Sequence, residues 1–462
     1  MAACRYLALV LALATGLLTA PAAAAEAPLR VSQRYVITAT LDVGTGRLDA
    51  VQVLELTNRS LRPMAHVNLS VLPRALGYLT MDDTVTVDGE EVEPAWTTST
   101  NLRVPLDRLE TDATARISLP FRLDVGRSPG AFTARTSREN GVISFGHWFP
   151  IVSTEHDMYG IGDPQVSFTA DAIRLELRTT TTLGRNAVAC PGLVTAPATS
   201  GTSWVCESID VRDFAFVVNP RFRLTTRTAG DIEIRVHTET VDGARTADLA
   251  RQGLIGLEEA YGEYPWPDLV LAEVGAIGGF SMEYPRMIHL TREKVADPYI
   301  VYHEIAHQWF YAQVGNDQQR EPWVDEAFAD FSARYLMGID DNACSTRPLD
   351  SDVFAWEAGA TTGGDWNSCD GYLHAVLYQG NSFVSDVRAA MGDDAFFGAM
   401  REWVATHRGG FVTGRTLLLH LLRRTDADLL PIYARYLDDW DPRPPPRLPT
   451  AEGSRHYGPV LE

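Results

Sequence analysis

Two patterns of apolar and polar positions divide the chain near residue 225. Before that point, apolar and polar residues alternate with the period of a strand, as where charged residues separate Ile173, Leu175 and Leu177. The pair Asp88-Gly89 follows another alternating run and is typical of a tight hairpin turn. Long stretches of helical period are scarce. This half is therefore predicted to form an N-terminal antiparallel β-sandwich or saddle of sheets.

After residue 225, apolar residues recur mainly at the three- and four-residue spacing of amphipathic helices. Two short alternating runs are predicted strands, at 232–236 and 269–274. Helices are predicted at 244–261, 299–314, 321–337, 381–391, 394–407 and 416–437. The fold class is therefore α+β. The predicted organisation is a β-rich domain at 26–224, a mainly helical domain at 225–441 and a Pro-rich extended tail at 442–462.

The first 25 residues have the pattern of a secretory signal peptide. Arg5 supplies a positive charge, an apolar run covers residues 6–20, and Ala23-Ala24-Ala25 offers small residues for cleavage. The run is short for a membrane span, and no other stretch is long and apolar enough for one. We expect an exported protein, secreted or extracellular, that begins near Glu26.

The overall charge limits the possible partners. The chain has 40 Lys and Arg against 60 Asp and Glu, a formal net charge of −20. A nucleic-acid-binding protein needs basic residues to neutralise phosphates, and attachment to an anionic membrane needs them as well. We therefore expect neither nucleic acid nor a stable membrane association. The oligomeric state is open.

Four cysteines follow the signal segment, and an even number in an exported protein suggests two disulfides. Three pairings are possible. Pairing of sequence neighbours is favoured because each bond closes a short loop, which gives Cys190–Cys206 and Cys344–Cys369. A zinc cluster is the alternative, but the required C-x-x-C spacing is missing.

The strongest chemical signal is His303-Glu304-Ile305-Ala306-His307. Residues four apart share one face of a helix, so the two imidazoles can bind one metal ion. Glu304 would then lie within reach of a water on that metal. The alternative is a pair of ordinary core histidines beside a surface charge.

A third metal ligand is available on the next predicted helix. Eighteen residues separate His307 from Glu326, and a helix–turn–helix of that length allows the carboxylate to face the metal. No fourth ligand is evident, which favours an open, catalytic zinc site over a closed, structural one. Asp330 lies one turn beyond Glu326. It either orients a ligand imidazole or is a solvated helix charge.

These motifs resemble the M1 (gluzincin) zinc metallopeptidases, whose best-known members are aminopeptidases. Glu321-Pro-Trp-Val-Asp-Glu326 resembles the family segment around its third ligand, and Gly279-Phe-Ser-Met-Glu-Tyr-Pro285 resembles its Gly-x-Met-Glu-Asn segment. Tyr-Gly-Glu-Tyr-Pro-Trp-Pro at 261–267 resembles the segment before its substrate strand. The resemblance implies a thermolysin-like catalytic domain with one Zn²⁺, in a short form without the family's C-terminal helical domain.

The resemblance also implies a role for each site residue. His303, His307 and Glu326 would bind zinc. Glu304 would take a proton from the zinc-bound water and later deliver it to the leaving amine.

Two further roles follow from the family pattern. Glu283 would hold the free α-amino group of a peptide substrate. A tyrosine would stabilise the oxyanion, with Tyr378 as the first choice and Tyr372 as the reserve. Phe280 and Tyr284 replace the usual Gly and Asn, so the first side-chain pocket and the grip on the amine could differ from the family's.

Three functions are therefore open: an exported aminopeptidase, which is the preferred interpretation, a zinc endopeptidase with an open cleft, and a non-catalytic peptide-binding module. The preferred N-terminal residue is not indicated. The aromatic run His147-Trp148-Phe149-Pro150, with Glu155 after it, could line the cleft or belong to the β core.

Overall fold

A computed structural model describes residues 29–127, 135–153, 167–275, 281–318, 321–339 and 373–437. Several predicted features lie outside these ranges and stay predictions: the signal peptide, the pair Cys344–Cys369, Tyr372, Glu155, Gly279, Phe280 and the Pro-rich tail.

The β-rich half contains one large sheet and two smaller ones. Its strands are β1 Val31–Asp42, β2 Arg47–Asn58, β3 Met64–Ser70, β4 Leu79–Met81, β5 Val85–Val87, β6 Glu90–Val92, β7 Ala95–Trp96, β8 Asn101–Leu109, β9 Thr114–Asp124, β10 Ser137–Glu139, β11 Val142–Phe145, β12 Ile151–Val152, β13 Ala170–Gly184, β14 Val188–Ala189, β15 Leu193–Thr195, β16 Ser200–Val211 and β17 Phe216–Val218. A short helix, α1, covers Leu72–Ala75, and a 3₁₀ turn covers Arg185–Ala187.

The nine-stranded sheet has the order β15-β16-β13-β1-β2-β9-β5-β6, with β4 also paired to β9. Buried and exposed residues alternate along β1, β2 and β9, as expected of strands with one dry face. The predicted hairpin at Asp88-Gly89 is confirmed between β5 and β6. The described strands of this half pair antiparallel, as predicted, except for β1 and β13, which are parallel. A long segment separates these two strands, so no tight turn dictates their relative direction.

The predicted disulfide Cys190–Cys206 is confirmed. Both cysteines are fully buried, and Cys206 lies within β16. The bond therefore fastens the segment after β14 onto β16, which lies next to the edge strand β15 of the large sheet.

The second half combines a four-stranded sheet with helices. The strands are β18 Arg223–Ala229, β19 Ile232–Thr238, β20 Asp268–Val274 and β21 Met287–Thr291, in sequential order, and β19, β20 and β21 are parallel. The helices are α2 Ala244–Tyr261, α3 Pro298–Ala306, α4 Trp323–Met337, α5 Gln379–Met391, α6 Asp393–His407, α7 Gly414–Leu422 and α8 Leu430–Tyr436. A π-helical turn, Leu373–Tyr378, leads into α5, and β22 Gly315–Asn316 pairs with β23 Phe411–Val412. The predicted α+β class is confirmed.

Two predicted helices differ from those observed. The helix expected at 299–314 ends at Ala306, because the chain then folds into turns that bring Tyr311 to a φ of 119°. The helix expected at 416–437 is divided into α7 and α8. Pro431 in the first turn of α8 cannot continue a preceding helix, so the chain begins a new one there.

The buried side chain of Arg212 joins the two halves. Its guanidinium donates to the carbonyl oxygen of Ser167 in the β-rich half, at 3.0 Å, and to that of Gly410 in the helical half, at 2.9 Å. It also lies 3.5 Å from the carbonyl oxygen of Ala312, in the turns after α3. Within the described ranges, no helix is both long and apolar enough to cross a membrane.

Candidate active site

Helix α3 presents the two histidines of the His-Glu-x-x-His motif on one face. The helix begins at the N-cap Asp297, whose carboxylate accepts a hydrogen bond from the backbone N–H of Tyr299, and Pro298 occupies its first turn. His303 lies in its last turn, and His307 is its C-cap residue. Their Nε2 atoms are 3.2 Å apart.

Helix α4 supplies the carboxylate. Glu326 lies in its first turn, and a stack of Phe310 on Phe328 packs this helix against the turns after α3. The Oε2 atom of Glu326 is 3.1 Å from His303 Nε2 and 3.5 Å from His307 Nε2.

These separations fit a tetrahedral metal ion. Bonds of about 2.0–2.1 Å in a tetrahedral zinc site place the donor atoms about 3.3 Å from one another. The three observed separations of 3.1, 3.2 and 3.5 Å lie around that value. Two imidazoles and one carboxylate are also donors that zinc accepts, and they leave a fourth position open.

The charge around the site also favours a cation. Burial raises the pKa of Glu304 well above its usual range, and the nearby negative charge of Glu283 raises it further. Burial alone would lower the pKa of His307, but Glu283, Glu326 and Asp325 raise it well above the usual value. The Oε2 atom of Glu304 is buried and has no hydrogen-bond partner among the described residues. A divalent ion would balance this excess of negative charge.

Sequence reasoning missed Asp325, whose carboxylate faces Nδ1 of His307, the ring nitrogen on the side away from His303 and Glu326. The Nδ1 atom of His307 lies 3.1 Å from the carbonyl oxygen of Phe310 and 3.8 Å from the carboxylate of Asp325. Asp325 accepts hydrogen bonds from Asn316, at 3.0 Å, and from Gln318. The available signal was its position directly before Glu326, in the same helical turn.

Asp330 is not the solvated helix charge that one alternative predicted, because it is completely buried. Its carboxylate accepts hydrogen bonds from the hydroxyl of Tyr299 and from Nε of Arg334, the latter at 2.8 Å. In the described ranges, Nδ1 of His303 has no hydrogen-bond partner. Asp330 therefore holds Tyr299 and Arg334 beside the site.

Glu283 lies next to the histidines, although it is distant in sequence. It follows Met282, which pairs with His289 in a small antiparallel bridge, and it is only 5% exposed. Its carboxylate lies within 4.8 Å of ligand atoms of both His307 and Asp325. The structure thus brings Glu283 together with the predicted metal centre.

Tyr378 ends the π-helical turn that precedes α5. The guanidinium of Arg334 lies 5.4 Å from its ring and 5.5 Å from the ring of Tyr299. Because the ring of Tyr299 is 5.9 Å from that of His303, Tyr378 is connected to the site through Arg334 and Tyr299.

The aromatic run after Gly146 has two roles. Trp148 and Phe149 are buried in the core of the β-rich half, as one alternative predicted. His147 instead packs against Tyr284, with ring centroids 5.1 Å apart, and its Nε2 is 3.0 Å from the carboxylate of Asp213. The β-rich half therefore contacts the segment that contains Glu283.

Comparison with known proteins identifies a related peptidase domain and a related fold. Residues 258–436 match the Peptidase family M1 domain. The M1 zinc metallopeptidase of Deinococcus radiodurans has a similar structure, with 18% identity, a TM-score of 0.65, and alignment over 92% of this chain and 97% of that one. A mutant of that enzyme bound to the substrate Tyr-Ser-Ala gives 17% identity, a TM-score of 0.65 and coverage of 91% and 97%. At these identities the structural likeness establishes the fold, and the family match concerns the helical half.

Proposed function

With its M1 peptidase domain at residues 258–436, this chain is a zinc metallopeptidase with one catalytic Zn²⁺, and from that premise we propose that it removes N-terminal residues from peptides. The observation that supports this most strongly is the set of donor atoms on His303, His307 and Glu326, with Glu283 beside it. A metal centre and an amine-binding carboxylate side by side suit an exopeptidase.

We assign zinc binding to His303, His307 and Glu326. When bound there, zinc makes a water molecule acidic enough to act as a nucleophile near neutral pH, and it polarises the scissile carbonyl. Glu304 follows His303 directly on α3, and its carboxylate is buried against the site. It accepts the proton of the attacking water on a carboxylate oxygen and then donates this proton to the departing amine nitrogen.

Glu283 restricts the cut to the first peptide bond. A free α-amino group is charged, and a buried ammonium requires a carboxylate partner. Glu283 is itself buried beside the metal ligands, so an ammonium paired with it lies about one residue from the reacting carbonyl. A blocked amine or an internal peptide segment lacks the charge for this pairing.

The function is tested with a panel of aminoacyl fluorophores and their N-acetyl counterparts, with and without a chelator. The free-amine substrates are expected to be cleaved, chelator is expected to abolish cleavage, and added zinc to restore it. Preferential cleavage of internal bonds in acetylated peptides would instead indicate an endopeptidase. Stoichiometric zinc without turnover of any substrate would indicate a binding module.

Replacement of Glu283 by alanine is expected to remove the preference for a free amine. Truncation of one partner of a buried charge pair costs about 2 kcal/mol or more, so kcat/KM on free-amine substrates should fall about 30-fold or more. The acetylated counterparts serve as the internal control, since they make no such pair. An equal loss on both substrate types would eliminate the amine-binding role.

Replacement of Tyr378 by phenylalanine is expected to lower kcat about 10²-fold with little change in KM. The proposed reason is the loss of one hydroxyl donor to the oxyanion, which is typically worth about 3 kcal/mol. Tyr335→Phe is the matched control, because Tyr335 is partly exposed on the far end of α4. Unchanged kcat in the Tyr378 variant would assign the oxyanion to another group.

We further propose that the reaction takes place outside the cytoplasm. The signal-like pattern of residues 1–25 supports this, as does the disulfide, since such bonds persist in oxidising compartments. Mass spectrometry of protein recovered from culture medium would show whether the chain begins near Glu26.

A further inference from the structure

The side chain of Gln308 connects the end of α3, the helix that carries His303, to the segment that contains Glu283. Gln308 directly follows His307 and is completely buried. Its Nε2 lies 3.3 Å from the carbonyl oxygen of Glu283 and 3.2 Å from that of Tyr284, and donates to both. Its Oε1 accepts a hydrogen bond from the backbone N–H of Arg286 at 2.8 Å. One amide therefore holds three backbone groups within four consecutive residues.

The same short segment is held at its far end by an ion pair. Arg286 has a φ of 62°, a left-handed conformation that non-glycine residues rarely adopt. Its guanidinium donates two hydrogen bonds to the buried carboxylate of Asp268, at the start of β20. The backbone of Arg286 is thus turned towards Gln308 while its side chain is tied to the parallel sheet.

The backbone on each side of Glu283 is also fixed. Met282 exchanges two hydrogen bonds with His289, at 2.8 and 2.9 Å. The carbonyl of Tyr284 accepts from the backbone N–H of Met287 as well as from Gln308. Among these contacts, the bonds from Gln308 are the ones that reach the residue after His307, whereas the others join the segment to β20 or β21.

We propose that Gln308 is a positioning residue that sets the distance between the amine-binding carboxylate of Glu283 and the metal centre, and thereby confines cleavage to the first peptide bond. The inference rests on the proposed aminopeptidase function. Gln308 touches neither the reacting carbonyl nor the amine in this scheme. It acts through the backbone of Glu283, whose carboxylate must lie one residue away from the scissile bond.

The expected consequence of losing these bonds is a change in selectivity. A displacement of about 1 Å at a substrate-positioning group can cost about 10²-fold in rate. Free-amine substrates depend on the position of Glu283, whereas N-acetyl substrates do not. In Gln308→Met, which has similar length but no amide, kcat/KM on free-amine substrates should fall about 10- to 100-fold and the low rate on acetyl substrates should change less than about 3-fold.

Gln313→Met is the matched control. Gln313 is another buried glutamine in the turns after α3, and neither polar atom of its side chain has a hydrogen-bond partner among the described residues. The same chemical change there removes no such bond, so the ratio of free-amine to acetyl rates is expected to stay at the wild-type value. Metal content is measured in both variants.

A binding measurement accompanies the kinetics. Calorimetric titration uses a dipeptide analogue whose peptide bond is reduced, so that it binds without turnover. The difference in affinity between this analogue and its N-acetyl form reports the contribution of the free amine. Gln308→Met is expected to weaken only the free-amine form. Gln308→Leu, which is also uncharged and has no amide, provides a second variant with the same expected change should the methionine variant not fold.

The outcomes separate the two proposals. If the wild-type protein discriminates between free and acetylated substrates and both Gln308 variants retain that ratio, the positioning role is overturned while the aminopeptidase function stands. An equal loss on both substrate types would mark Gln308 as a general structural residue and also overturn it. A wild-type protein that does not discriminate would overturn both proposals.

Discussion

Replacing Glu304 with glutamine is expected to lower kcat about 10³-fold while the zinc content stays at the wild-type level. Glutamine has nearly the same shape, but its amide cannot accept the proton of the attacking water. The zinc content should not change, because the proposed ligands are His303, His307 and Glu326. Turnover of an aminoacyl fluorophore and metal analysis of the same preparation measure the two quantities.

Glu293→Gln is the control for this experiment, since Glu293 is an exposed residue shortly before α3. The control should retain wild-type turnover. Near wild-type activity of Glu304→Gln would exclude Glu304 as the general base, and a loss of zinc in that variant would show that it contributes to metal binding instead.

Replacing Glu326 with alanine is expected to abolish detectable turnover through loss of the metal. Two imidazoles alone are a weak zinc site, and we expect zinc affinity to fall by more than about 10²-fold, since even the loss of a group that only supports a ligand costs 10- to 100-fold. Competition with a chromophoric chelator measures the affinity directly and does not depend on activity.

Glu259→Ala, at an exposed position on α2, controls for the change of charge. After chelation and addition of stoichiometric zinc, the control should recover wild-type turnover and Glu326→Ala should not. Tight zinc binding by Glu326→Ala would place the third ligand elsewhere, with Asp325 and Glu283 as candidates because their carboxylates lie within 4.8 Å of His307.

The fold could be predicted from the sequence where it depends on residues that are close together in the chain. Buried and exposed residues alternate along β1, β2 and β9 because one face of each strand is buried, and this alternation is visible in the sequence of each strand alone. The parallel pairing of β1 with β13 was not predictable, because strand direction across a long connection depends on the tertiary fold. The early end of α3 was missed for a similar reason: residues 307–314 have a helical pattern, but they form turns, and Ala312 and Gln313 accept hydrogen bonds from Arg212 and Gly409 in other segments.

The candidate metal site was predictable because its proposed ligands lie close together in the sequence: one helical turn separates the histidines, and Glu326 lies on the next helix. The supporting contacts were not. Gln308 and Glu283 are 25 residues apart in sequence, and nothing in either stretch indicates that the amide of one meets the carbonyl of the other. Asp330 was expected either to orient an imidazole or to face solvent, but it is buried and accepts hydrogen bonds from Tyr299 and Arg334, which lie far from it in sequence or one helical turn away.

The buried guanidinium of Arg212 has a consequence for the modularity of the molecule. It satisfies carbonyl groups of Ser167 and Gly410, which belong to different halves of the chain, and burial lowers its pKa to about 10. Excision of the β-rich half would remove the donor and leave the carbonyl of Gly410 without this bond. The helical half contains the whole proposed reaction centre, but in isolation it would lose the donor that Arg212 supplies to Ala312 and Gly410.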